Sequence, residues 1–151
     1  MKLYMLLFAV VLYSQLLHAQ NAIILSFSPN DDVSTCKIDA RSSSTDSGAF
    51  ILLLTVKEEF VKKWQGAPVL SMISPGKSTL YLEPFEDSVW MGYGRKILEY
   101  KGTFILKKSE IGFLHINRIR SITLAYPNAQ TTLKLSRRSG KALMKLIGDH
   151  W

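Results

Sequence analysis

From Ala22 onward the chain consists largely of short runs in which apolar and polar positions alternate, the repeat of a strand with one buried face. Thr35 to Ala40 is the plainest case, with Cys36, Ile38 and Ala40 set against Thr35, Lys37 and Asp39. Before it, Ala22 to Phe27 is short and β-branched and runs into the turn formers Ser28-Pro29-Asn30-Asp31-Asp32, which predicts a first strand and a loop. The polar run Arg41 to Gly48 predicts a hairpin connection. Ala49 to Leu54 is apolar throughout, as in a strand buried on both faces. Thr55 and Glu58 have capping-box spacing, and Val56, Phe60, Val61 and Trp64 then fall at helical spacing up to Gly66. An amphipathic helix over Val56 to Gln65 is therefore predicted.

Farther on, Val69 to Ile73 and Ser78 to Leu82 flank the turn Ser74-Pro75-Gly76-Lys77, a hairpin that Pro84 ends. Val89 to Tyr93 and Lys96 to Leu106 read as two more strands, the second open to a break at Gly102. Ser109 opens a one- to two-turn helix ending near Leu114, and Ile119 to Tyr126 turns through Pro127-Asn128 into Thr131 to Leu135. A helix from Arg137 to about Gly148 closes the chain, with Leu143, Leu146 and Ile147 in one stripe and Lys141 and Lys145 in another. The class predicted is α+β: an antiparallel sheet of about six strands with a short internal helix and a C-terminal helix packed on it. A β-sandwich, or a barrel closed by the final helix, is the alternative. There is no internal repeat and no low-complexity tract.

The pattern I-x-R-I-x-x-I-T-L from Ile116 to Leu124, followed by T-L-K-L and a basic helix, resembles the C-terminal part of small exported proteins of unknown function from Bacteroidetes. The likeness covers about Phe104 to Trp151 and implies export and this fold, with no activity attached.

The N-terminus supports export independently. Lys2, the apolar run Leu3 to Tyr13 and Ala19 make the three parts of a secretory signal peptide, residues 1–19, with cleavage after Ala19 favoured over Ala22. The apolar stretch is shorter than the roughly 20 residues that span a bilayer, so no transmembrane span is expected after cleavage. An uncleaved anchor or a buried first helix is the competing reading. Residues 20–151 then form a single exported domain, secreted or periplasmic. Cys36 is the only cysteine, so no internal disulfide forms, and it reads as a small buried side chain or, alternatively, a nucleophile or an intermolecular bridge.

Charge is unevenly spread. Residues 20–94 carry six basic and nine acidic side chains, whereas residues 95–151 carry twelve basic and three acidic, a balance of +9. Arg137, Arg138, Lys141 and Lys145 lie in the closing helix, which makes this region a candidate surface for an anionic partner: polysaccharide, lipid headgroup or envelope protein. The compartment argues against nucleic acid. Trp90, Tyr93, Arg95 and Tyr100 interleave aromatic rings with a cation and form a second candidate binding neighbourhood, against the plainer reading of core aromatics with a basic rim.

Catalytic chemistry finds little to work with. The only histidines after the leader are His115 and His150, and no serine has a nucleophile-elbow context. Glu83, Glu86 and Asp87 cluster near Trp90, where a small hydrolase would need two of them facing one cleft; a solvated turn is the competing reading. Asn30, Asp32 and Ser34 begin like a calcium loop, but Thr35 replaces the turn glycine and Arg41 the closing acid. Gly92-Tyr93-Gly94 lacks the third glycine of a phosphate loop. Neither a metal nor a cofactor is expected. A non-enzymatic binding module is the function the sequence favours, with a carboxylate hydrolase or a protein that assembles through a sheet edge as alternatives.

Overall fold

A computed structural model describes residues 22–28, 32–42, 47–91 and 97–150. The segment 1–19 expected to be a signal peptide, Asn30 of the calcium-like run and the glycine turn expected within 92–96 lie outside the described residues. The chain order is β1 (Ala22–Ile24), β2 (Val33–Ser42), β3 (Ser47–Lys57), α1 (Glu58–Val61), β4 (Val69–Ile73), β5 (Thr79–Leu82), β6 (Glu86–Met91), β7 (Ile97–Lys107), α2 (Lys108–Ile116), β8 (Ser121–Tyr126), β9 (Ala129–Lys134) and α3 (Arg137–His150). The α+β class and the packed C-terminal helix are as predicted. The strands are more numerous than the six expected and divide into two antiparallel sheets, ordered β1-β2-β3-β7-β6 and β5-β4-β8-β9.

Alternation explains the first sheet. Cys36, Ile38 and Ala40 of β2, Phe50, Leu52 and Leu54 of β3, and Tyr100, Phe104 and Leu106 of β7 all face inward and are buried. β3 is the central strand, paired along its full length with β7 and over most of it with β2. Its outward Leu53 stands in register between Lys37 and Lys101, and Ile51 between Asp39 and Thr103. Ile51 is only 8% exposed, while its outward neighbours Ala49 and Leu53 are half-buried, so the outer face of β3 is apolar but covered only in part, less than its unbroken hydrophobic run predicts.

The two sheets meet along one side. Past the end of β1, Phe27 bridges Leu135, and the Ser28 N–H donates to the Lys134 carbonyl at 2.9 Å. On the other side the turn from β5 to β6 crosses between the sheets, and the Phe85 N–H donates to the Thr103 carbonyl at 2.8 Å. Leu70 and Met72 of β4, Ile122 and Leu124 of β8, and Leu133 of β9 join the inner residues of the first sheet in one core, which Leu143, Leu146 and Ile147 of α3 complete.

Several elements depart from expectation for physical reasons. The helix expected over Val56 to Gln65 shrinks to Glu58–Val61, because Val56 and Lys57 continue β3 in register with Leu98 and Ile97. Val56 satisfies both a strand and a helix pattern, and burial beside β7 decides for the strand. The capping box does not form either: the Thr55 hydroxyl hydrogen-bonds that of Thr35 across the sheet, and no side chain caps α1. β7 is unbroken at Gly102, where a Cβ would stand 2.9 Å from the Phe104 ring and closer still to the Tyr100 hydroxyl. The glycine leaves room for Tyr100 to lie across it. α2 is longer than expected and is opened at Lys107, whose N–H donates to the Glu110 carboxylate at 2.6 Å. Asn117 closes it, its Nδ2 donating to the Phe113 carbonyl at 2.9 Å.

Candidate anion-binding face

α3 presents two unlike faces, and the spacing of its side chains sets them. At about 100° per residue, Ser139, Gly140, Leu143, Leu146 and Ile147 share the side turned to the core, and all five are buried. Arg137, Arg138, Lys141 and Lys145 fall within an arc of roughly 100° on the opposite side, and all four are exposed. Among the described residues none of the four is held in an ion pair. Asp149 is the acidic residue at the rim of this face.

The helix start is held firmly. Ser136 acts as the N-cap: its Oγ accepts the Ser139 N–H at 3.0 Å, and its hydroxyl donates to the Ser139 Oγ at 2.9 Å. The Ser26 N–H also donates to that Ser139 oxygen at 3.0 Å, which ties α3 to the chain leaving β1. Two arginines in the first turn nonetheless oppose the helix dipole, an arrangement that costs about 0.3–1 kcal/mol per cation at the surface. No acidic residue offsets them there.

α3 is flanked by the end of α2. A Cβ on Gly148 would lie 3.3 Å from the His115 ring, and one on Gly140 would lie 2.9 Å from Arg118 Cγ and overlap the Ile119 carbonyl. The stretch 115–119 thus runs along α3 with the two glycines as its seats, adding Arg118 beside the helix.

Only part of the second candidate neighbourhood falls among the described residues. Tyr93 and Arg95 lie outside the described residues, Trp90 belongs to β6 opposite Glu99, and Tyr100 is fully buried. Tyr100 instead joins an aromatic group that sequence reasoning missed. Trp64 stacks on Tyr126 with centroids 4.5 Å apart and meets Tyr100 and Phe60 edge-on at 5.4 and 5.2 Å. The Tyr126 hydroxyl hydrogen-bonds Asp87, while the Tyr100 hydroxyl and Trp64 Nε1 have no partner among the described residues. Tyr100→Phe is accordingly expected to leave stability unchanged or raise it by up to about 1 kcal/mol, whereas Tyr126→Phe lowers it. Urea unfolding midpoints of the two variants check this contrast.

The carboxylates do not gather into a pair. Glu86 and Asp87 are consecutive in β6, so their side chains take opposite faces, in register with Thr103 and Gly102. Glu83 lines a separate groove of about 330 Å³ with Val69, Tyr81, Ile105, Lys107 and Glu110. There Glu110 is engaged by the backbone of Lys107 at the start of α2. A smaller depression of about 240 Å³ lies over Thr35, Lys37, Leu53 and Glu99 on the outer face of the first sheet.

Cys36 sits in the core with its thiol pushed up to about 12 by burial, so it is a packing residue and not a ready nucleophile. Burial likewise raises Tyr100 and Tyr126, with Asp87 adding to both. In each case the folded chain holds a proton that the unfolded chain releases sooner. Stability is therefore expected to be level below about pH 9 and to fall above it, by about 1.4 kcal/mol per pH unit for each group released. Unfolding midpoints from pH 8 to 11 test this, and Cys36→Ala should flatten the first part of the decline.

No helix among the described residues is long and apolar enough to cross a membrane. Comparison with known protein families, curated proteins and solved structures finds no match.

Proposed function

We propose that this protein is an exported, non-enzymatic binding module whose basic C-terminal face engages an anionic partner of the cell envelope. The observation that carries the reading is the exposed arc of Arg137, Arg138, Lys141 and Lys145, set opposite the buried stripe of α3. Two of these cations stand at the helix end where positive charge is least favourable, a stability cost that an anionic ligand would offset on binding. The signal-like N-terminus supports placing the protein outside the cytoplasm.

Changing Arg137, Arg138, Lys141 and Lys145 to Glu is expected to abolish retention on an anionic matrix at low salt, and raising the salt should release the parent protein. The Arg137→Glu and Arg138→Glu changes should at the same time stabilise the fold by about 0.3–1 kcal/mol each. Loss of retention with undiminished stability would establish the face as functional. Retention equal to that of the parent would overturn the proposal.

A further inference from the structure

The basic face does not end at α3. Ile116, the last residue of α2, is 79% exposed, among the most exposed large apolar side chains of the described residues. Its backbone is fixed by Asn117, which bonds the Phe113 carbonyl through both its side chain and its N–H, at 2.9 and 3.0 Å. Its neighbours His115 and Arg118 rest on α3 at Gly148 and Gly140. Gly148 lies on the same side of α3 as Arg137, Lys141 and Lys145, one step along the i, i+4, i+8, i+11 row. Ile116 therefore stands at the border of the cationic arc, held out from the protein by a capped helix end.

A cationic face with a bare aliphatic side chain at its edge suits one kind of anionic partner better than the others. Polysaccharide offers hydroxyl and carboxylate groups but no oily phase, and gains nothing from Ile116. An anionic bilayer offers both a negatively charged surface and, a few ångströms below it, acyl chain. We infer that the anionic partner is a lipid surface: α3 lies against the headgroups through its four cations, and Ile116 enters the interface beside them. This rests on the basic-face reading above and names its ligand. Asp149, at the rim, points the contact toward the side of the face where Ile116 stands.

The test compares the protein purified after export with its Ile116→Asp and Ile116→Leu variants, by flotation with vesicles of phosphatidylglycerol and phosphatidylcholine. Parallel arms use pure phosphatidylcholine vesicles and a dextran sulfate matrix. Ile116→Asp should float at least about tenfold less well with anionic vesicles, Ile116→Leu should match the parent, and both should be retained on dextran sulfate nearly as the parent is. Because Ile116 is exposed, the variants should share the parent's unfolding midpoint. Equal flotation of Ile116→Asp and parent, or retention on dextran sulfate without binding to anionic vesicles, would overturn the lipid assignment and leave the basic-face reading in place. Failure to bind either vesicles or matrix would overturn both.

Discussion

Phe50→Ala is expected to destabilise the domain by about 3–5 kcal/mol, the range for removing a fully buried phenylalanine and leaving the space unfilled. Phe50 is central in β3, fully buried, and meets Phe104 of the paired strand edge-on at 6.3 Å. Neighbours on both sides are held in long, regular ladders, so the cavity has little means of collapsing. Domains of this size are stable by about 5–15 kcal/mol, so the variant should lie near the edge of folding at ambient temperature. Phe85→Ala is the control: its ring is 77% exposed and its loss should change stability by no more than about 0.5 kcal/mol. Urea denaturation followed by circular dichroism separates the two. A loss below about 1 kcal/mol for Phe50→Ala would show that the two sheets are not closed on each other as described.

The same substitution in two helices should act with opposite sign. Glycine-to-alanine changes inside an exposed helix stabilise by about 1 kcal/mol, because the unfolded chain loses freedom. At Gly112 of α2 a Cβ would meet nothing within 4 Å, so Gly112→Ala should show this gain. At Gly140 of α3 the Cβ would fall on the carbonyl of Ile119 and against Arg118. The carbonyl belongs to backbone that continues directly into Arg120, whose N–H donates to Ile73 at 2.8 Å, and so it cannot retreat without disturbing β8. Gly140→Ala should therefore lose about 1–3 kcal/mol despite its better helix propensity. Thermal midpoints moving in opposite directions would bear out the packing of α3. A gain at both positions would mean that α3 does not rest on the 115–119 stretch.

What could be read from the sequence was what one element decides by itself. The alternation of Thr35 to Ala40, the turn at Pro75-Gly76 and the stripe of Leu143, Leu146 and Ile147 each fix their own structure from neighbours in the chain. The cationic side of α3 was legible for the same reason, since helical spacing alone sets it opposite the buried residues. What depends on distant partners was not legible. Val56 fits two periodicities, and only its partner Leu98 decides between them. The division into two sheets rests on β7 joining β3 and β4 joining β8, pairings that no local signal encodes. The contact of Trp64, Asp87, Tyr100 and Tyr126 draws on three strands and the turn after α1, so no signal among near neighbours in the chain marks it. Exposure of Ile116 was equally hidden, because in sequence it looks like one more apolar residue before a strand.

The placement of β3 at the centre of its sheet also governs time. Phe50 and Phe104 are register partners more than fifty residues apart, so β3 must wait for a segment synthesised much later before its second edge is covered. Sheets built on such remote pairings close slowly, on roughly the millisecond to second scale, because a long loop has to be ordered before any contact rewards it. Until then the chain has only local pairings such as the β2–β3 and β4–β5 hairpins as scaffold, and α3 cannot seat before the sheets beneath it exist. A chain with this topology stays open for longer than a helical bundle of equal length, and its unpaired strand edges are exposed to other chains for that interval.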